Sequence, residues 1–250
     1  MIMKLSGIVS SYGDIQILHN ISMQMQREKV IALIGRNGVG KSTLFKTICG
    51  LIKPESGVVE FKGVQIQGFA PYKIKELGIS YMPQGAKLFP RLTVEENIRS
   101  LIGKNQTYDL VFEQLRDLFL ESIGAKDSML IKMLDSLLGA HKNQLAGTLS
   151  GGQRQIVCLV RSLVNNPELL LWDEPSIGLS ESLLPELEAL MRYIIQSGKT
   201  ILLIDQKIEW ALSVCNFAYV MQKGKVKYSG EPVMLLKDRE YLLSLLGLGS

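Results

Sequence analysis

Apolar residues fall into two rhythms along this chain. Residues 30–34 (VIALI), 169–172 (LLLW) and 201–204 (ILLI) are unbroken apolar runs of strand length, the pattern of strands covered on both faces of a sheet. Other stretches repeat at helical spacing. Leu44, Ile48 and Leu51 mark a helix that Gly50 and Pro54 close, and residues 94–102, 110–122, 128–138 and 182–196 are further helical candidates. Residues 58–62, running into Gly63, read as another strand.

The order of these elements bounds the fold. Strand, helix and strand follow one another across residues 169–204, which favours a parallel sheet because the helix carries the chain back to the starting end. Residues 217–230 read as a hairpin turning at Lys223-Gly224, and residues 233–246 as a short closing helix. Between about 85 and 164 the pattern is helical and reads as an insertion. The expectation is one α/β domain over 1–250. Its core comes from 1–84 and 165–230, its helical subdomain from 85–164 and its closing helix from 231–250, and no repeat or low-complexity tract divides it.

Composition narrows the setting. At 250 residues the chain buries a sizeable interior without staples. Hydrophobic residues make up 46% and the mean hydropathy is +0.16, yet no apolar run approaches the roughly 18 to 20 residues that a span needs. Surplus apolar surface is then better used on a protein partner. A net charge of +4 without a dense basic patch gives no footprint for nucleic acid. The N-terminus lacks the apolar stretch and cleavage site of a signal peptide, so a cytoplasmic protein is expected. Cys49, Cys158 and Cys215 are far apart and show no CxxC spacing, as befits buried, reduced thiols.

The chemistry begins where residues 30–34 empty into GRNGVGKST, residues 35–43. This fits GxxxxGK(S/T) between a strand and a helix, the phosphate-binding P-loop. Gly35, Gly38 and Gly40 let backbone N–H groups crowd phosphate oxygens, with Asn37 and Thr43 completing the turn. Lys41 reaches the β and γ phosphates, and the Ser42 hydroxyl suits magnesium. In ELLLWDEPS, a buried strand delivers Asp173 and Glu174 to its C-terminal end, where α/β sheets place ligands. Asp173 suits the magnesium shell and Glu174 a general base acting on water. Read alone, two acids there would equally cap a helix or pair with a lysine.

Between these motifs lies LSGGQRQ, residues 149–155. With the P-loop upstream and WDEP downstream, the chain resembles the ATP-binding cassette (ABC) ATPases over nearly its whole length. Ser150, Gly151, Gly152 and Gln153 open a helix and offer a second phosphate site. The resemblance implies a P-loop NTPase (RecA-like) α/β core with an antiparallel β subdomain and an inserted α-helical subdomain. It implies ATP and Mg2+, and head-to-tail pairing with a second cassette ATPase. Permease subunits in the membrane and a solute-binding protein would complete the assembly, with this chain peripheral on the inner face. Tyr12 would stack on adenine, and Gln84 would stand near magnesium and the attacking water.

Residues 78–98 and 143–155 look like the uptake ATPases for branched-chain amino acids, urea and amides. Three positions depart from that pattern. Gln84 stands where branched-chain members often carry Glu, Ser180 where many cassettes carry Asp, and residues 103–143 form a long helical region. Most cassettes place histidine at the end of the strand 201–204, where this chain has Gln206. An amide there donates a hydrogen bond but does not titrate, and the branched-chain subgroup shares it. Gln206 is a candidate γ-phosphate sensor, while by itself an amide at that place is equally the polar cap of a strand. A cassette acting on ribosomes or nucleic acid would carry two cassettes or a long coiled coil, and a small-molecule kinase would lack LSGGQ.

Overall fold

The computed structural model describes residues 1–103, 106–124 and 127–248, so parts of the long helical stretch 103–143 and the last two residues of 231–250 lie outside the described residues. Two sheets stack. The smaller is antiparallel, in the order β2-β1-β4-β5, from β1 (Met3–Tyr12), β2 (Ile15–Met25), β4 (Ser56–Phe61) and β5 (Val64–Gln65). The larger runs β10-β9-β3-β8-β7-β6, from β3 (Val30–Ile34), β6 (Ile79–Met82), β7 (Leu169–Asp173), β8 (Thr200–Ile204), β9 (Phe217–Gln222) and β10 (Lys225–Gly230). Its ladders are parallel except at β10, which pairs antiparallel with β9.

The unbroken apolar runs serve two cores at once. In β3, Ile31 and Leu33 face the space between the sheets while Val30, Ala32 and Ile34 face the helices. In β7, Leu169 and Leu171 take the first side, Leu170 and Trp172 the second. Alternation survives inside each run because successive side chains of a strand point to opposite faces. The helix-side core is continuous from Trp172 through Ile156 to Tyr108 and Phe119 of the helical region. Trp172 is fully buried and its indole N–H donates to Ser162 Oγ at 3.0 Å, a packing role.

Several boundaries differ from the spacing. The helix after the P-loop is Lys41–Ile48, with Gly50 at φ 71 and Leu51 exposed beyond it, because a glycine in the left-handed region reverses the chain before another turn forms. Val94–Arg99 is shorter than the pattern over 94–102, and Tyr108–Ile123 longer than 110–122. The segment 128–138 splits into an α-helix, Met129–Leu134, and a π turn, Asp135–Ala140. The closing segment is two helices, Pro232–Lys237 and Arg239–Leu246. Asp238 interrupts them and caps the second, accepting from Tyr241 N at 2.8 Å.

Candidate functional site

Four neighbouring parallel strands point the predicted site at one edge of the sheet. From the C-terminal ends of β3, β8, β7 and β6 come, in that spatial order, the P-loop, Gln206, the Asp173-Glu174 pair and Gln84. Such edges are where open α/β sheets hold ligands. A cleft of about 360 Å³ lies there, lined by Gly35, Arg36, Asn37, Lys41, Glu174, Asp205, Gln206 and Ile208.

The P-loop is wrapped tightly against its surroundings. A Cβ on Gly35 would stand 2.6 Å from the Met221 carbonyl oxygen. Gly40 takes φ 106, closed to ordinary side chains, and opens the helix that begins at Lys41. Lys41 Nζ donates to the carbonyls of Gly35 at 2.6 Å and Arg36 at 3.0 Å. Burial lowers its pKa while Asp173 and Glu174 pull it back up. Asn37 and Gly38 are exposed on the loop, and Ser42 and Thr43 begin the helix behind it.

Asp173 is 1% exposed, its Oδ1 has no hydrogen-bond partner, and Tyr81 Oη donates to its Oδ2 at a long 3.4 Å. Burial raises its pKa; the Ser42 hydroxyl counters this, Glu174 adds to the rise, and Lys41 opposes it. A buried carboxylate oxygen without a partner is costly, and beside a hydroxyl it fits a divalent cation. Among the described residues no group of three or more His, Cys, Asp or Glu gathers as a metal cage. That suits magnesium, which takes one or two protein oxygens and completes its shell with water and phosphate. Ser42 and Asp173 are the residues that would hold it, while the Gln84 side chain is engaged with Glu174.

Glu174 is the meeting point. Gln84 Nε2 donates to its Oε2 at 2.8 Å, and Gln206 Nε2 reaches both Oε1 and Oε2 at 2.9 Å. The two amides follow strands on either flank of β7, so the Glu174 carboxylate is held from two sides. Asp205 stitches the turns that carry it: Ser176 donates through N–H at 3.1 Å and Oγ at 2.7 Å, and Lys207 N–H at 2.9 Å.

The remaining predicted residues stand elsewhere. Ser150 caps the helix Gly151–Leu163 reciprocally with Gln153, Gln153 N–H to Ser150 Oγ at 3.2 Å and Ser150 N–H to Gln153 Oε1 at 2.8 Å. Ser150 and Gly151 are exposed, and nothing lies within 4 Å of a Cβ built on Gly151. Gly152 abuts the Gly178 carbonyl, 2.8 Å from such a Cβ. Tyr12 ends β1 with its ring exposed; Lys46 Nζ lies 5.6 Å from the ring centroid and donates to the phenol oxygen at 3.1 Å. Sequence reasoning missed Tyr81, Asp205 and Gln155, the last of which is buried and donates to the carbonyls of Glu174 and Pro175. A lone amide on the apolar stripe of a helix was the available signal for Gln155.

Known proteins resemble this chain over most of its length. Residues 18–177 match the family described as ABC transporter. The chain is 31% identical over 238 residues to the high-affinity branched-chain amino acid transport ATP-binding protein BraG of Pseudomonas aeruginosa, covering 94% of this chain and 95% of that one. It is 28% identical over 246 residues to the lipopolysaccharide export system ATP-binding protein LptB of Haemophilus influenzae, covering 98% and 97%. Among solved structures, a dimeric post-hydrolysis ATP-binding cassette bound to ADP and Pi superposes with a TM-score of 0.72 at 25% identity, covering 92% of this chain and 98% of that one.

Proposed function

Since the chain belongs to the ABC transporter family and hydrolyses ATP, we propose that it pairs head to tail with a second cassette around two ATP molecules to drive solute uptake. One observation carries the pairing. The capped helix end at Ser150 is exposed, while the cleft that holds Lys41 and Glu174 is lined by other residues. A second helix terminus suited to phosphate therefore has no phosphate to meet within its own chain. The dimeric cassette to which this chain is similar gives the pairing a precedent.

The residues then divide the work. Lys41 exchanges the two carbonyls it now holds for phosphate oxygens. Tyr12 offers a ring face to adenine, and Ser42 and Asp173 hold magnesium, which when bound neutralises the charge on the phosphates. Gln84 and Gln206 keep the Glu174 carboxylate oriented. Glu174 accepts the proton of the water whose oxygen bonds the γ phosphorus, while the bond to the bridging oxygen of ADP breaks. ATP, binding both cassettes only when they are closed, shifts the pair toward closure by that difference in affinity.

Permease subunits in the membrane are the partners in this reading. A cleft of about 250 Å³ between β6, the helix Pro71–Glu76 and the helix Gly151–Leu163 that LSGGQRQ opens, the signature helix, has an apolar floor that includes Ile74, Met82 and Leu101, under Lys75, Lys87 and Arg161. It suits an inserted segment from a permease. No described helix is long and apolar enough to cross a membrane itself, in keeping with a peripheral subunit at the inner face. Likeness to BraG supports branched-chain amino acids or related polar solutes as cargo, with a solute-binding protein in the assembly.

The test is phosphate release and ATP binding by Glu174→Gln. Turnover is expected to vanish with binding intact and an ATP-dependent dimer trapped in light scattering. Normal turnover in that variant overturns the assignment of Glu174 as base.

A further inference from the structure

Glu174 carries out its part from a strained backbone. Its φ is 61, a left-handed conformation that is costly for a long side chain and persists only where neighbours enforce it. The enforcing contacts are few. The Glu174 N–H donates to the Ile204 carbonyl at 2.7 Å, and its own carbonyl accepts from Ile177 N–H at 3.3 Å. The side chain that joins them is Gln155, 2% exposed, whose Nε2 donates to the Glu174 carbonyl at 3.0 Å and the Pro175 carbonyl at 2.9 Å.

Gln155 lies one turn after Gly151 on the helix that Ser150 caps, and helical side chains lean toward the N-terminus of their own helix. The same helix end touches the chain beyond Glu174 a second time, where Gly152 packs against the Gly178 carbonyl. The exposed end of the signature helix and the backbone of the base are thus joined by two contacts within four residues of each other. Asp205 holds the far side of this turn through Ser176. A shift of the helix end has few places to go except into the turn that sets Glu174.

We propose that Gln155 is a positioning residue that ties the strained backbone of Glu174 to the signature helix, so that docking of that helix on the nucleotide of a second cassette is transmitted to the chain's own base. This rests on the head-to-tail reading above. One chain's signature serves one ATP and its Glu174 the other, and Gln155 is the bond through which the two sites sense each other. The coupling element is a physical contact with a strained two-ended turn, not mere proximity.

Gln155→Met keeps length and volume but donates nothing. In the full chain it should lower kcat by about 10-fold to 100-fold, as displacement of a reacting group on the order of 1 Å does. Nucleotide affinity at the P-loop, read with a fluorescent ATP analogue, should change less than about twofold, and the Hill coefficient for ATP should fall toward one. Gln155→Glu supplies an independent readout. Facing two carbonyls it donates only when protonated, so its activity relative to wild type should recover as pH falls. Wild-type kcat and Hill coefficient in Gln155→Met overturn the proposal, as does a rise in KM with a matching loss of melting temperature, which marks a plain structural staple. A pH-independent Gln155→Glu ratio also overturns it. Absence of an ATP-dependent dimer in Glu174→Gln, by contrast, removes the underlying head-to-tail reading and leaves the two failures distinguishable.

Discussion

Gln206 Nε2 stands 2.9 Å from each carboxylate oxygen of Glu174, across 32 residues of sequence. The contact makes Gln206 a hydrogen-bond partner of the carboxylate proposed above as the base. An amide has no proton to gain or lose near neutrality, so this position imposes no limb on the pH–rate profile. Gln206→His should create one near the ordinary imidazole value of about 6.5, with turnover falling as pH drops and the imidazolium pairs with Glu174. Gln206→Ala should lower kcat by about 100-fold at most, with ATP affinity nearly unchanged. Steady-state kinetics from about pH 5.5 to 8.5 check both.

Asp173 exemplifies a site residue that costs stability. Burial raises its pKa above the ordinary carboxyl value, so the folded chain binds this proton more tightly than the unfolded chain does. Its penalty is absent below about pH 3.9 and fully present above the raised folded value, so stability falls as pH rises through that window. Asp173→Asn should stabilise the nucleotide-free chain by about 1–3 kcal/mol, each kcal/mol raising the melting temperature by about 2–4 °C. The same variant should lose the extra stabilisation that Mg2+ and ATP give the wild type. Calorimetry with and without Mg2+-ATP measures the two opposed effects.

The thiols behave as core. Burial pushes Cys49 and Cys215 up to about 12 and Cys158 to about 11. Native protein should leave all three unreacted with a thiol reagent at about pH 8, and release three on unfolding. Because the unfolded thiols ionise from about 8.5, the folded state loses stability as pH climbs above that value. Urea midpoints measured between about pH 8 and 10.5 should decline accordingly.

Tyr12 supplies a fourth test. The residue is 46% exposed and its ring already carries a lysine ammonium near its face. A base stacked there would contribute about 1–3 kcal/mol. Tyr12→Ala should weaken ATP binding about tenfold or more, whereas Tyr12→Phe keeps the ring and nearly all the affinity. Equilibrium binding with a fluorescent nucleotide separates them.

Much of this site was legible in the sequence because its parts sit at the ends of unbroken apolar runs. The runs at 30–34, 169–172 and 201–204 became β3, β7 and β8, and the polar residues after each came together. What escaped lay where local pattern is weak. β1 and β2 pair through several register shifts, so alternation survives only in short pieces, Met3–Ser6 and Ile21–Met25, and neither strand was read from the sequence. β6 has four residues, too few to carry a period. Gln155 sat in plain view within LSGGQRQ, yet its importance depends on the signature helix lying beneath the turn after β7, a tertiary fact. The closing segment misled because a hydrophobic pattern continues across Asp238 while the side chain of that residue starts a new helix.

The strand order has one more implication. Adjacent strands stand about 4.8 Å apart, so β3, β8, β7 and β6 act as a ruler that spaces the P-loop, Gln206, Glu174 and Gln84 at fixed lateral intervals. The Asp173↔Ile204 and Trp172↔Leu203 pairings are the marks that align it. A slip of one residue there would displace Glu174 by about 3.3 Å and turn β7 inside out. Trp172 would then leave its core. Misalignment of the site residues and transfer of the largest buried ring from the helix-side core into the core between the sheets are therefore one event, and a misread ruler also misplaces the packing of both cores.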